Sequence, residues 1–187
     1  MAFNHLNIHN FPELKATTTE KGRRYRVGDS FYPSVTTVIG YSKKDAIVKW
    51  RKKVGEEEAN KISTRASIRG NKCHKLCELY LSNESISKYK DDALSMGLFY
   101  QIKPYLDSID NIHALEDPLS SSLLKMAGRV DCIAEYKGEL AIIDFKTSSK
   151  TKREEWIDNY FAQETAYAIM FQAVSYTHLT LPTIYSV

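Results

Sequence analysis

No apolar run in this 187-residue chain approaches the ~20 residues that cross a bilayer as a helix. The N-terminal stretch from Met1 to Leu14 has neither the apolar centre of a secretory signal nor an Arg-rich amphipathic pattern. The expected compartment is therefore cytoplasmic. Cysteine is scarce. Cys73, Cys77 and Cys132 are odd in number and irregular in spacing, which excludes a disulfide framework and fits a reducing environment. Cys73 and Cys77 flank His74, but no second Cys/His pair completes a zinc tetrahedron, so both read as small buried thiols. Repeats and low-complexity segments are missing as well. Neither charge sign dominates: the net charge of +3 permits a nucleic-acid partner without requiring one.

What remains is the composition of an ordinary folded domain, 43% hydrophobic and 26% charged, on a chain long enough for one core. Residues 1–31 read as an irregular arm with short strands at Ala16 to Thr19 and Arg24 to Val27. Ser34 reads as the N-cap of a short helix that Gly40 stops. Lys44 to Val54 is expected to be a helix with Ile47, Trp50 and Val54 on its apolar face. A longer helix follows from Glu56 to about Leu81, with Ile62, Ala66, Cys73 and Leu76 inward and a break near Gly70. Asp91 to Ile109 is expected to be a helix striped by Leu94, Leu98, Ile102 and Leu106. After a weak strand at Ile112 to Leu115 the period changes. Val130 to Tyr136 and Leu140 to Thr147 form two strands about Lys137-Gly138, and Glu154 to Phe171 returns to helix with Trp156, Tyr160, Tyr167 and Phe171 near one stripe. Helices, antiparallel strands and a helix predict an α/β (α+β) sandwich.

The chemistry concentrates in the hairpin. With Lys137-Gly138 as the turn, residues whose numbers sum to 275 oppose each other, so Asp131 faces Asp144. Directly opposed Cβ atoms lie ~4.5–5.5 Å apart. Lys146, two residues on, projects from the same face as Asp144, while Ala141, Ile143 and Phe145 anchor the other face in the core. Two opposed carboxylates repel unless neutralised, and an all-oxygen donor set suits Mg²⁺ or Mn²⁺. His74 and Glu78 share a helix face at i, i+4, and Gln163 and Tyr167 repeat that spacing after the hairpin. Each of these features has a plain structural reading: a solvated ion pair for the hairpin, a structural histidine, a core tyrosine. Their order along the chain argues against taking them singly.

That ordered set is Pro33-Ser34-Val35-Thr36, Trp50-Arg51, Arg69-Gly70 leading to His74 and Glu78, Gly128-Arg129-Val130-Asp131, Ile143-Asp144-Phe145-Lys146-Thr147, and Gln163-x-x-x-Tyr167. It resembles the RecB-like branch of the PD-(D/E)XK nucleases, in particular the mitochondrial genome maintenance exonucleases and related bacteriophage exonucleases, from about Tyr32 to Phe171. The resemblance implies a restriction-endonuclease-like core, a mixed sheet flanked by helices, hydrolysing DNA phosphodiesters with Mg²⁺ (Mn²⁺ possible) at single-stranded ends in replication, repair or recombination. It implies that Asp131, Asp144 and Lys146 are catalytic, and that His74, Asp131, Asp144 and the backbone carbonyl of Phe145 hold the metal. Glu78, Gln163 and Tyr167 would bind substrate or support the site. Some relatives carry an iron–sulfur cluster on four cysteines; with three here, none is expected. A phage origin would make the compartment the host cytoplasm. Two other readings are an inactive nuclease fold that only binds DNA, and an interaction domain without nucleic acid.

Residues 32–173 would then be the nuclease domain. Val174 to Val187 reads as the in-frame translation of a transposase adapter used for sequencing libraries, with Ile184 to Ser186 over the index, and is set aside from fold reasoning. The natural chain is expected to continue beyond Ala173, where the family's sheet gains further strands.

Overall fold

The computed structural model describes residues 2–175, apart from Asn7, His9, 150–151 and 154–156. Residues 154–156, Trp156 among them, where the last helix is expected to start, and the adapter-like stretch past Ser175 lie outside the described residues; Ile157 is not helical, and the helix begins at Asp158. The arm is ordered as a three-stranded antiparallel sheet of β1 (Ala16–Thr19), β2 (Gly22–Val27) and β3 (Ser30–Pro33). Ser34 ends it and caps α1 (Val35–Tyr41), accepting the Thr37 N–H at 3.0 Å. The cap works as expected, though the helix runs one residue past Gly40.

The core sheet has the antiparallel order β4 (Ile109–Leu115), β7 (Cys132–Tyr136), β8 (Glu139–Ile143). A separate hairpin, β5 (Pro118–Ser121) with β6 (Met126–Arg129), carries Gly128 and Arg129 into the site; nothing in its periodicity announced it. Asn111, at φ 45, sits where the β4–β7 register shifts, a bulge that re-aims the strand end. Lys137 and Gly138 both have positive φ (53 and 85), the geometry of a type I′ turn, and the expected register follows: Cys132 opposes Ile143 and Ile133 opposes Ile142.

Helices cover both faces of this sheet. On one lie α3 (Glu56–Leu81) and α4 (Ala93–Leu106), around Leu76, Cys77, Leu81, Phe99, Leu106, Cys132, Ala134 and Phe145. On the other lie α1 and α5 (Asp158–Ser175), around Val35, Val130, Ile133, Ile142, Met170 and Phe171. Each fully buried Val, Leu, Ile, Phe or Met among them contributes roughly 1.5–3 kcal/mol. The hairpin therefore does not present one charged and one packed face, as its alternation suggested. Ile142, on the Asp144 side, is buried, and charge appears only where the strands end.

Three further expectations are corrected. The long helix is unbroken at Gly70, and Ile62 and Ala66 point outward, because its first half extends beyond the sheet. The stripe of α4 is Ser95, Phe99 and Leu106, with Leu94 66% exposed, since packing on α3 rotates the helix by about one residue. α2 (Lys44–Val54) occupies its expected span but buries nothing, and Ile47 is 50% exposed. No helix among the described residues is long and apolar enough to cross a membrane.

Candidate active site

A cavity of about 570 Å³ opens between α3, the core sheet, the β5–β6 hairpin and α5. His74, Glu78, Asp131, Asp144, Lys146, Gln163 and Tyr167 all line it, so the seven side chains given site roles from the sequence reach one space. Trp50 and Arg51 do not line it; Arg51 donates to Glu56 (Nε–Oε2, 3.0 Å) on the exposed helix junction. Ser34, Thr36 and Gly70, from the other matching segments, form its wall.

Asp131 and Asp144 stand one pair beyond the last rung of the β7–β8 ladder, where the backbone is released and can turn its groups inward. Asp131 Oδ2 accepts the Phe145 N–H at 2.8 Å and lies 3.3 Å from His74 Nδ1. Asp144 Oδ1 accepts from Gln163 Nε2 at 2.7 Å. Its Oδ2 is buried, ion-paired with Lys146 Nζ but without a directed hydrogen bond, on a side chain only 3% exposed. Lys146 Nζ also lies 5.6 Å from the centre of the Tyr160 ring, which braces the ammonium on the α5 side. Glu78 holds Lys75 at 2.5 Å on the cavity wall.

Gln163 and Tyr167, one turn apart on α5, do different things. Gln163, 8% exposed, orients Asp144. Tyr167 sets the hydroxyl end of its ring against Gly128, where an added Cβ would meet the phenol oxygen at 2.5 Å and ring carbons at 2.9 and 3.1 Å. Glycine is required there because aromatic atoms fill the space of a side chain. Gly128→Ala is expected to lower stability by about 1–3 kcal/mol, read as a fall in melting temperature. Tyr167→Phe in the same chain should recover part of that loss, since it removes the nearest atom. Strictly additive losses in the double variant would show that the two residues do not press on each other.

Sequence reasoning missed two acidic residues. Glu116, at the β4–β5 corner, lies with His74 and Asp131 such that one donor atom from each falls within 4.8 Å of the others. Glu164, beside Gln163, is 5% exposed on the inward face of α5. Neither has a motif around it. The signal for Glu164 is an acid on a buried helical face; Glu116 had none within its own segment.

The carboxylates crowd one another. Burial and the Asp131 charge push Asp144 up to about 6, against the pull of Lys146. Burial and Asp131 push Glu116 up to about 7, and burial and Asp144 push Glu164 up to about 8. Burial would also raise Asp131, but the hydrogen bond and charge of His74 outweigh it and hold Asp131 low. The same pair raises His74, against its own burial. The three raised acids keep protons that the unfolded chain has released, so stability is present near pH ~4 and is lost as pH rises through about 6, 7 and 8. Asp131 runs the other way, its contribution disappearing only below the ordinary carboxylate range. In chelator, the melting temperature should therefore fall between about pH 5 and 8.5, and excess Mg²⁺ or Mn²⁺ should restore it at the alkaline end. A flat profile would contradict the crowding.

The residues fit a divalent cation. Four acids and an imidazole converge on one cavity, and a buried carboxylate oxygen of Asp144 is offset by the Lys146 ammonium without a directed hydrogen bond, a crowding of negative charge that a hard cation relieves.

A sequence profile described as the PD-(D/E)XK nuclease superfamily matches residues 62–181. Human Mitochondrial genome maintenance exonuclease 1 is 30% identical over 129 residues, 64% of this chain and 38% of the human protein. The mouse protein of the same name is 29% identical over 128 residues, 64% of this chain and 38% of its own. The Xenopus tropicalis protein of that name is 26% identical over 137 residues, 69% and 40%. The chain thus spans about two fifths of the length of these relatives.

Proposed function

Since this chain belongs to the PD-(D/E)XK nuclease superfamily, we propose that it is a Mg²⁺-dependent deoxyribonuclease that removes nucleotides from single-stranded DNA ends, in replication, repair or recombination. The observation that carries this reading is the convergence of Asp131, Asp144 and Lys146 at one end of a single hairpin, with His74 and Gln163 gripping the two carboxylates. The domain is taken to be residues 32–173.

In this reading Asp131, Asp144, His74 and the Phe145 carbonyl hold the cation. When bound, it lowers the pKa of a coordinated water and stabilises charge on the phosphate. Lys146 orients the attacking water and offsets the charge that develops as the P–O bond breaks. Gln163 keeps Asp144 in its ligating rotamer. Tyr167, locked on Gly128, fixes the separation of α5 from the hairpin to within the tolerance a site requires. Glu78 supports the wall through Lys75. Arg23, Lys75 and Arg129 on the cavity lining supply positive charge for backbone phosphates. The assignment to DNA ends rests on the exonuclease name of the relatives, and the preference for single strands on the resemblance of the ordered motifs alone.

The test is incubation of the chain with end-labelled single- and double-stranded DNA, in Mg²⁺ or in chelator. Stepwise loss of label from single strands in Mg²⁺ alone is expected. Binding without cleavage in both conditions would turn the assignment into a DNA-binding module. No salt-dependent binding at all would remove DNA from the function.

A further inference from the structure

Two acidic side chains of the cavity come from outside the hairpin: Glu78, which is paired with Lys75, and Glu116. Glu116 occupies the corner between β4 and β5 at φ 56, a conformation few residues other than glycine adopt. Neighbours pin that corner to the strand end carrying Asp131. The Glu116 N–H donates to the Asp131 carbonyl at 3.0 Å, and the Arg129 guanidinium donates to the Glu116 carbonyl. Asp117 closes the turn, accepting the Leu115 N–H on Oδ2 at 3.0 Å and the Val130 N–H on its carbonyl at 3.0 Å.

Among the described residues, the hydrogen bonds that fix Glu116 are made by its backbone. Its half-buried side chain lines the cavity, where its carboxylate comes within 4.8 Å of donor atoms of His74 and Asp131. Arg129 donates its hydrogen bond to the Glu116 carbonyl, and its charge, with that of His74, only partly offsets the carboxylate. A second, separate observation points to a ligand in the same space: Asp144 Oδ2, buried and offset by the Lys146 ammonium without a directed hydrogen bond, lies on a side chain that lines the same cavity from the other side.

We propose that Glu116 is a ligand of the divalent cation, closing with His74 and Asp131 the β4–β5 side of a donor set that the hairpin alone leaves open. This rests on the metal-dependent reading above and adds to it a carboxylate from outside the hairpin. A mixed set of one imidazole nitrogen and several carboxylate oxygens suits Mn²⁺ as well as Mg²⁺, which makes Mn²⁺ the useful probe.

Mn²⁺ is titrated into the full chain without DNA, and free Mn²⁺ is counted by its EPR signal. Glu116→Gln should weaken binding by about tenfold or more, and Glu116→Asp by several-fold. Asp144→Asn should also weaken it, and Lys103→Ala on the far side of α4 should not. The metal-free melting temperature of Glu116→Gln should equal or exceed that of the parent, because one crowded carboxylate is gone. Should the Gln variant fail to fold, the Asp variant carries the same test. Parent-like Mn²⁺ affinity in the Glu116 variants, with affinity lost in Asp144→Asn, overturns the role of Glu116 and leaves the metal-dependent reading standing. Absence of Mn²⁺ binding in the parent chain overturns both.

Discussion

Asp144→Asn should reduce phosphodiester cleavage by at least about three orders of magnitude, or ~4 kcal/mol of transition-state stabilisation, while DNA binding changes less than about threefold. The substitution keeps the shape, and the Asn carbonyl can still accept from Gln163 Nε2, so the local fold is preserved. What disappears is a negative charge buried to 3% exposure and paired with Lys146. Without it the ammonium loses its counter-charge, and the cation loses one of the two carboxylates that end the hairpin. DNA affinity is set mainly by phosphate contacts with Lys and Arg on the surface, and it should persist or rise slightly as a negative charge is removed. The measurement is single-turnover cleavage of end-labelled single-stranded DNA beside filter binding in chelator. Equal cleavage by parent and variant would remove Asp144 from the chemistry.

Lys146→Met should slow cleavage by about two to four orders of magnitude, the usual range for losing a positioned group at a reacting centre. Unlike Asp144→Asn, it should leave Mn²⁺ affinity unchanged or tighter. Methionine keeps the length that spans toward the Tyr160 ring, so packing survives while the charge does not. The acids beside it, Asp131 and Asp144, then lose a cation that offsets their repulsion, and a divalent ion is held more strongly in compensation. The paired readout separates a group that acts on the reacting atoms from one that acts by holding metal. A parallel loss of Mn²⁺ affinity in Lys146→Met would mean that lysine serves the site by structure alone.

The legible parts of this molecule are those governed by neighbours a few residues away. Ser34 caps α1 because its hydroxyl reaches a donor three residues on. Lys137-Gly138 sets the register of the core hairpin because a two-residue turn with both φ positive admits one pairing. That register, with the alternation of side chains, puts Asp131 beside Asp144 and Lys146 on their side. Helical spacing puts Gln163 and Tyr167 on one face, and the ordered motifs lead to the family that the sequence profile then shows.

Other features depended on what packs where. α2 has the pattern of a half-buried helix, yet its contact with α3 leaves none of its side chains fully buried. The stripe of α4 shifted because contact with α3, rather than hydropathy, decides which side turns inward. Glu116 is the clearest case: no local pattern marks it, and it meets His74 only because the β4–β5 corner is pinned to the strand end that α3 covers. The amino-acid sequence by itself determined the hairpin, its register and the identity of the groups at its end, since these follow from short-range geometry. Which further side chains join them, and which apolar faces are covered, was decided only when distant segments packed, because proximity between them is a property of the assembled core and not of either segment.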